Sequence, residues 1–301
     1  MLPPVPEPAI RGGYLERLAR RSAAVGSVLC LGLDPDPGAL PRGFSRSLAG
    51  VERFAALILE AGLPAAAAVK PNLAFFEAFG SAGMGALERL RARVPPDVPV
   101  IADVKRGDIG TTAERQAVAL FDVLGADAVT VSPYLGRDAV APFLERTNRF
   151  TYVLCRTSNP GAAMIQALTV LEDATLGAPA EPLHARVARL AARWAPPDAL
   201  GLVVGATAPT ELAAIRRVVP DLAFLVPGVG AQGGDLEAVL TNGPAAADPT
   251  AARPGRGLLV NVSRGVASAA TGEAGTSGPA DLLERLARAA ADWAARLPVL
   301  G

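Results

Sequence analysis

Histidine is nearly absent from this chain of 301 residues: His184 is the only one. That leaves no room for a zinc site built on several histidines, and little for a histidine-dependent triad. His184 lies in the helical pattern EPLHARVARLAARW and reads as an ordinary helix residue. Cysteine is almost as scarce. Cys30 and Cys155 sit in the strand-like runs SVLCLGL and TYVLCRT, and no CxxC or Cys/His cluster exists, so each reads as a small apolar residue and not as a ligand or nucleophile. Neither sign of charge is in excess, with 29 Lys plus Arg against 29 Asp plus Glu. Nothing is left over to neutralise a nucleic-acid backbone, so any phosphate is held locally in a pocket. No run of about 18 apolar residues occurs, and the start MLPPVPEPAIRGGYLERLARR has no apolar core of signal-peptide type. The expectation is a cytoplasmic protein with neither a membrane nor a nucleic-acid partner.

What is present is a regular alternation. Half of the residues are hydrophobic and 19% are charged, which suits a compact globular protein with a sizeable core. Strand-like runs fall at 28–33, 66–70, 98–104, 128–131, 151–155, 202–205, 223–226 and 258–262, separated by amphipathic helical patterns. Parallel neighbours need long crossovers, usually helical, so eight such units predict an α/β fold of the (β/α)8 TIM-barrel type. It should span 1–301 as a single domain with an N-terminal helix. An open doubly wound sheet is the alternative, but CLGLDPDPG after the first strand does not match Gly-x-Gly-x-x-Gly. Three segments are too long for simple barrel loops: 160–182, 242–257 and 267–279. The first and third follow strands five and eight and could act as lids; the second lies on the opposite side, as an excursion without structure of its own.

One stretch concentrates the chemistry. IADVKRGDIGTT (101–112) places Asp103 and Lys105 two apart at the end of an apolar strand, so alternation points both to one face. Taken alone, Asp-x-Lys is as readily a structural ion pair. The other strand ends change the balance. They carry Asp34, Lys70, Asp108, Ser132-Pro133-Tyr134, Arg156-Thr157-Ser158-Asn159, Gln232 and Arg264, whereas the opposite ends show no comparable set. In a barrel this is the catalytic face. VPGVGAQGGD and NVSRG, after strands seven and eight, add glycines for close backbone approach, the Gln232 amide and the Arg264 guanidinium, which together suit a phosphate.

The chain resembles the orotidine 5′-monophosphate decarboxylases of the longer bacterial type. The resemblance is carried by GLDPDP, AVKPN, ADVKRGDIGTT, SNPG, PGVGAQGGD and VNVSRG, in the family's order across residues 32 to 265. It implies loss of CO2 from orotidine 5′-monophosphate to give UMP, without cofactor or metal. Lys70, Asp103, Lys105 and Asp108 would form an alternating charge array, with Lys105 giving a proton to C6. Asp34 would hold ribose hydroxyls with Lys70, Ser158 would read the pyrimidine edge, and Gln232 and Arg264 would grip the phosphate. Asp108 and Thr112 would reach a neighbouring subunit's site, making a homodimer with shared active sites. Tyr134 and Asn159 stand as possible supporting residues, with packing or turn roles at least as apt. Two rivals remain. A sugar-phosphate decarboxylase or aldolase on the same scaffold would carry an acidic residue, for Mg2+, where this chain has Lys70. A non-catalytic nucleotide-binding barrel would have no need of a carboxylate aimed at its ligand's negative charge.

Overall fold

The computed structural model describes residues 12–230, 232–246, 253–271 and 279–300. Eight strands form the barrel: β1 (Leu29–Leu33), β2 (Ala68–Pro71), β3 (Ile101–Arg106), β4 (Ala128–Val131), β5 (Phe150–Arg156), β6 (Leu200–Val204), β7 (Ala223–Pro227) and β8 (Leu258–Val262). Their order is β2-β1-β8-β7-β6-β5-β4-β3, with every pairing parallel. The circle closes between β2 and β3 through isolated bridges, Val69 to Val100 and Asn72 to Asp103. Strands such as LCLGL and LGLVV are buried on both faces, which is why they read as unbroken apolar runs. All eight expected strands are present, with ends shifted by up to three residues.

Nine helices of seven residues or more lie among the described residues: α1 (Tyr14–Val25), α2 (Leu48–Gly62), α3 (Gly80–Arg91), α4 (Gly110–Ala117), α5 (Arg137–Leu144), α6 (Leu183–Trp194), α7 (Pro209–Val218), α8 (Leu236–Asn242) and α9 (Pro279–Arg296). The pattern FFEAFGSAGMGALERLRARV reads as one helix, but the structure divides it into Ala74–Glu77 and α3. Gly80 at the break has φ +62°, a left-handed conformation that ends the first helix at little cost.

Segment 160–182 is also more ordered than its sequence suggests. It holds a short helix (Ala163–Gln166) and a two-stranded hairpin of Thr169–Val170 with Glu181–Pro182. Glu181 is buried and paired to Arg186 at 2.8 Å and Arg189 at 3.1 Å, both on α6, so the insertion is fastened to the barrel wall. Of the other two long segments, residues 247–252 and 272–278 lie outside the described residues.

Helix α1 plugs the barrel floor. Tyr14 stacks on Phe150, with centroids 4.7 Å apart, and its hydroxyl meets that of Tyr152 at 3.2 Å. Beside them Arg17 donates to Asp127 at 2.8 Å, and the other Asp127 oxygen accepts the Val100 N–H at 2.8 Å. Arg149 and Arg91 stand 3.6 and 3.7 Å from the same carboxylate. The lower strand ends are therefore not free of charge. Sequence order hides this cluster, because Arg17 and Arg91 come from distant helices. Asp127 is 1% exposed, and removing one partner of a buried pair strands the other. Asp127→Ala should lower the unfolding free energy by about 3–5 kcal/mol in urea titration. Asp122→Ala, which breaks an exposed pair with Arg146, should cost less than about 1 kcal/mol.

Candidate active site

At the opposite end the C-termini of the strands surround a cavity of about 480 Å3. Lys70, the last-but-one residue of β2, and Asp103 on β3 face each other across the seam where the barrel closes. The Lys70 ammonium donates to Asp103 Oδ2 at 2.5 Å, and Lys105 donates to Oδ1 at 2.6 Å. Lys70 is buried whereas the Lys105 side chain is half exposed. Burial pushes an ammonium down and a carboxyl up. Both tendencies are overcome here: Asp103 and Asp34 hold Lys70 above its ordinary value, and Lys70 and Lys105 hold Asp103 well below the usual carboxylate range. The result is a fixed carboxylate between two ammonium groups, one rigid and one open to the cavity.

The backbone beneath this array is not a regular strand. Ala102 pairs with Val129 and Arg106 with Val131, so β3 spends two more residues than β4 over the same interval. Lys105 takes φ +50°, the left-handed region, which costs a non-glycine residue about 1–2 kcal/mol. Thr130 Oγ1 accepts the N–H groups of both Val104 and Lys105 at 3.0 Å and donates to Asp103 Oδ1 at 3.0 Å. Asp103 and Lys105 thus meet as simple alternation predicts, but through a bulge. Thr130 escapes a reading based on strand ends; its signal is a lone hydroxyl within the buried strand AVTV.

The wall opposite is glycine-rich. Gly228 has φ +100°, and a Cβ there would stand 2.9 Å from Gln232 Oε1 and 3.0 Å from Ser158 Cβ, so only glycine lets the loops after β7 and β5 approach this closely. Gln232 and Arg264 line the cavity from this side, and the Arg264 guanidinium pairs with no carboxylate among the described residues. Asp34 and Ser158 line it as well. One Asp34 oxygen is buried without a hydrogen-bond partner among the described residues, as is the side-chain oxygen of Asn261 on β8, which also lines the cavity and carries no strand-end signal. Gln166, in the inserted helix, is a further lining residue. Its amide clamps Thr157, accepting from the backbone N–H at 2.9 Å and donating to Oγ1 at 2.8 Å.

Seven of the nine expected site residues therefore share one cavity. Asp108 and Thr112 do not. The Asp108 carboxylate accepts the N–H of Ile109 at 2.8 Å, and Thr112 is exposed in the first turn of α4. Asn159 lines the cavity, while Tyr134 is 84% exposed. Cys30 and Cys155 are free and buried, and burial pushes the Cys30 thiol up to about 12 and Cys155 up as well, so both are inert as nucleophiles. His184 is buried in α6, where Nδ1 donates to the Gln166 carbonyl at 2.8 Å. Among the described residues no three His, Cys, Asp or Glu side chains group as metal ligands would, and no helix is long and apolar enough to cross a membrane.

Comparison with known proteins gives a consistent result. The model of the orotidine 5′-phosphate decarboxylase / HUMPS family matches residues 27–276. An orotidine 5′-phosphate decarboxylase of Herpetosiphon aurantiacus is 45% identical over 260 residues, covering 86% of this chain and 91% of its own. That of Roseiflexus castenholzii is 50% identical over 241 residues, covering 80% and 83%. The structure of an OMP decarboxylase from Leishmania donovani superposes with a TM-score of 0.73 at 36% identity, over 93% of this chain and 97% of that one.

The charge array carries a pH signature. The folded Asp103 value lies below its unfolded one, near 3.9, so its ionised form contributes stability in full above about pH 4 and loses it as pH falls through the folded value. Asp103→Asn strands the Lys70 ammonium and should be about 3 kcal/mol less stable than the parent at neutral pH. Urea midpoints measured against pH should show this gap constant at neutrality and closing progressively below about pH 4.

Proposed function

The chain belongs to the orotidine 5′-phosphate decarboxylase / HUMPS family, and from that premise we propose how its residues divide the work of converting orotidine 5′-monophosphate to UMP and CO2 in pyrimidine nucleotide synthesis. The observation that carries the proposal is one carboxylate held between two ammonium groups, across a cavity from a guanidinium that pairs with no carboxylate among the described residues. As the bond from C6 to the carboxylate breaks, CO2 departs and an electron pair stays on C6. A cation placed there stabilises the developing charge, and its proton can then close the vacant position. Lys105 is that group, because its side chain is half exposed at the cavity whereas the other ammonium, Lys70, is buried; solvent returns its proton afterwards.

Asp103 cannot swing away from the substrate carboxylate, since Lys70, Lys105 and Thr130 hold it in place. Like charges in contact disfavour the bound ground state relative to the transition state. The orphaned Asp34 oxygen suits a ribose hydroxyl donor, with Lys70 beside it. Ser158 reads the pyrimidine, and Gln232 with Arg264 holds the phosphate, whose binding energy is available to organise the site. No step in this scheme calls on a metal or cofactor. The sugar-phosphate rival would want an acidic residue where Lys70 stands, and an ammonium repels a metal ion. A cytoplasmic location accords with two free cysteines.

Asp108 and Thr112 belong, in this reading, to a partner's site in a homodimer. The support is that both lie outside their own cavity, next to Ile109, which is 60% exposed, and that β4, paired with β3 as far as the Ser132 N–H bond to the Arg106 carbonyl, is followed by the exposed Tyr134 (84%) and Leu135 (46%). An isologous contact there would bury these side chains and carry each Asp108 toward the other protomer.

The direct test follows the fall in ultraviolet absorbance as orotidine 5′-monophosphate is consumed in the presence of EDTA. The parent should turn over, and Lys105→Ala should lose at least about 100-fold in kcat while still binding UMP, since one positioned proton donor alone contributes about 100–10,000-fold. A folded parent without turnover would remove the assignment. Mixing inactive Lys105→Ala with inactive Asp108→Ala should restore activity in heterodimers, each with one intact site. Proven heterodimers without recovery would return Asp108 to its own subunit.

A further inference from the structure

We infer that Thr130 is a positioning residue for the decarboxylation: its hydroxyl sets the bulge in β3 that aims Asp103 and Lys105 at the reacting carbon. The inference rests on the roles proposed above for those two residues. A threonine hydroxyl has one proton to donate and two lone pairs to offer. Thr130 uses all three, on Asp103 Oδ1, Val104 N–H and Lys105 N–H.

Successive N–H groups of a regular strand point to opposite sides, so two of them cannot converge on one atom. Here they do, and the chain must turn between them, as the left-handed φ of Lys105 records. Thr130 stands midway in the interval that β4 crosses in two steps and β3 in four. Its oxygen receives N–H groups that would otherwise be left over from the interrupted ladder. The same oxygen also limits rotation of the Asp103 carboxylate. Oδ1 is shared between Thr130 and Lys105, which leaves Oδ2 for Lys70. Thr130 is 1% exposed, so bulk water does not compete for these bonds.

Valine has nearly the shape of threonine but makes none of the three bonds. Without them only the ion pair with Asp103 offsets the strain at Lys105, and β3 can relax toward regular pairing, which turns the ammonium away. Serine keeps the hydroxyl and loses only a methyl group. The experiment compares the parent, Thr130→Ser and Thr130→Val by steady-state kinetics on orotidine 5′-monophosphate and by UMP titration calorimetry, with a crystal structure of the valine variant.

The expected result is a fall of about 100-fold in kcat for Thr130→Val, the usual scale for a displacement of about 1 Å at a reacting group. Its UMP affinity should stay near the parent's, because the phosphate and ribose grips are untouched, and Thr130→Ser should stay near the parent in both. Valine with the parent's kcat, or serine as impaired as valine, would overturn the inference and leave the decarboxylase assignment standing. A parent that does not turn over would sink that assignment by itself, and the crystal structure would then decide: Lys105 still left-handed with both ion pairs intact argues against Thr130, and a relaxed β3 argues for it. Should the valine variant not fold, Thr130→Ala replaces it in the same comparison with serine.

Discussion

A parallel barrel must close on itself, and this one closes where its backbone ladder is thinnest. Between β2 and β3 the pairing reduces to isolated bridges, one of them at Asp103 itself. The Lys70–Asp103 ion pair spans that same seam at 2.5 Å. Neither charge is tolerable alone at this depth, so each fixes the other, and the seam is fixed with them. The site and the closure of the fold are in this sense one interaction. A strand pair with a complete ladder would leave less freedom for the bulge that brings Lys105 round to the second carboxylate oxygen.

The two ends of the barrel use the same chemistry for opposite purposes. At the floor Asp127 is surrounded by Arg17, Arg91 and Arg149, sealed beneath α1 and the Tyr14–Phe150 stack. At the mouth Asp103 is surrounded by Lys70, Lys105 and Thr130, but one side stays open to a cavity of about 480 Å3. Guanidinium groups suit the closed end, because their rigid fork can hold several acceptors at once. Ammonium groups suit the open end, where on the proposed roles a compact cation approaches a single carbon and gives up a proton. A perturbed carboxylate alone would not tell the ends apart. Access to a cavity does.

Much of this was legible in the chain because parallel strands are apolar on both faces and end abruptly in polar loops. Eight runs and their terminal residues were enough to gather Asp34, Lys70, Asp103, Lys105, Ser158, Gln232 and Arg264 around one mouth. What escaped was whatever depends on local departure from regularity or on distant partners. The bulge at Lys105 has no sequence mark, since neither glycine nor proline announces it. Thr130 and Asn261 lie inside strands, where a polar residue is easily passed over as an exception to an apolar run. Segment 160–182 looked irregular because its hairpin is only two residues a side, and the Glu181 anchor that orders it pairs with a helix read as a separate element.

The charge balance of the mouth bears on the role proposed for Asp108. Within one chain the cavity holds three cations, Lys70, Lys105 and Arg264, against two carboxylates, Asp34 and Asp103. A nucleotide carrying a phosphate and a carboxylate brings about three negative charges, so the occupied site is already anionic before any partner contributes. On the proposed roles Asp108 adds a further negative charge near Lys105, which makes the ground state worse while favouring the protonated ammonium. In the empty mouth it would bring the three cations and two carboxylates into balance. Supplied from a neighbour, it enters only on assembly, when the exposed apolar side chains of Ile109, Tyr134 and Leu135 can be buried to offset it. Within this reading, assembly and charge placement are coupled: the empty mouth of one chain carries one excess positive charge, which a carboxylate supplied by a neighbour offsets.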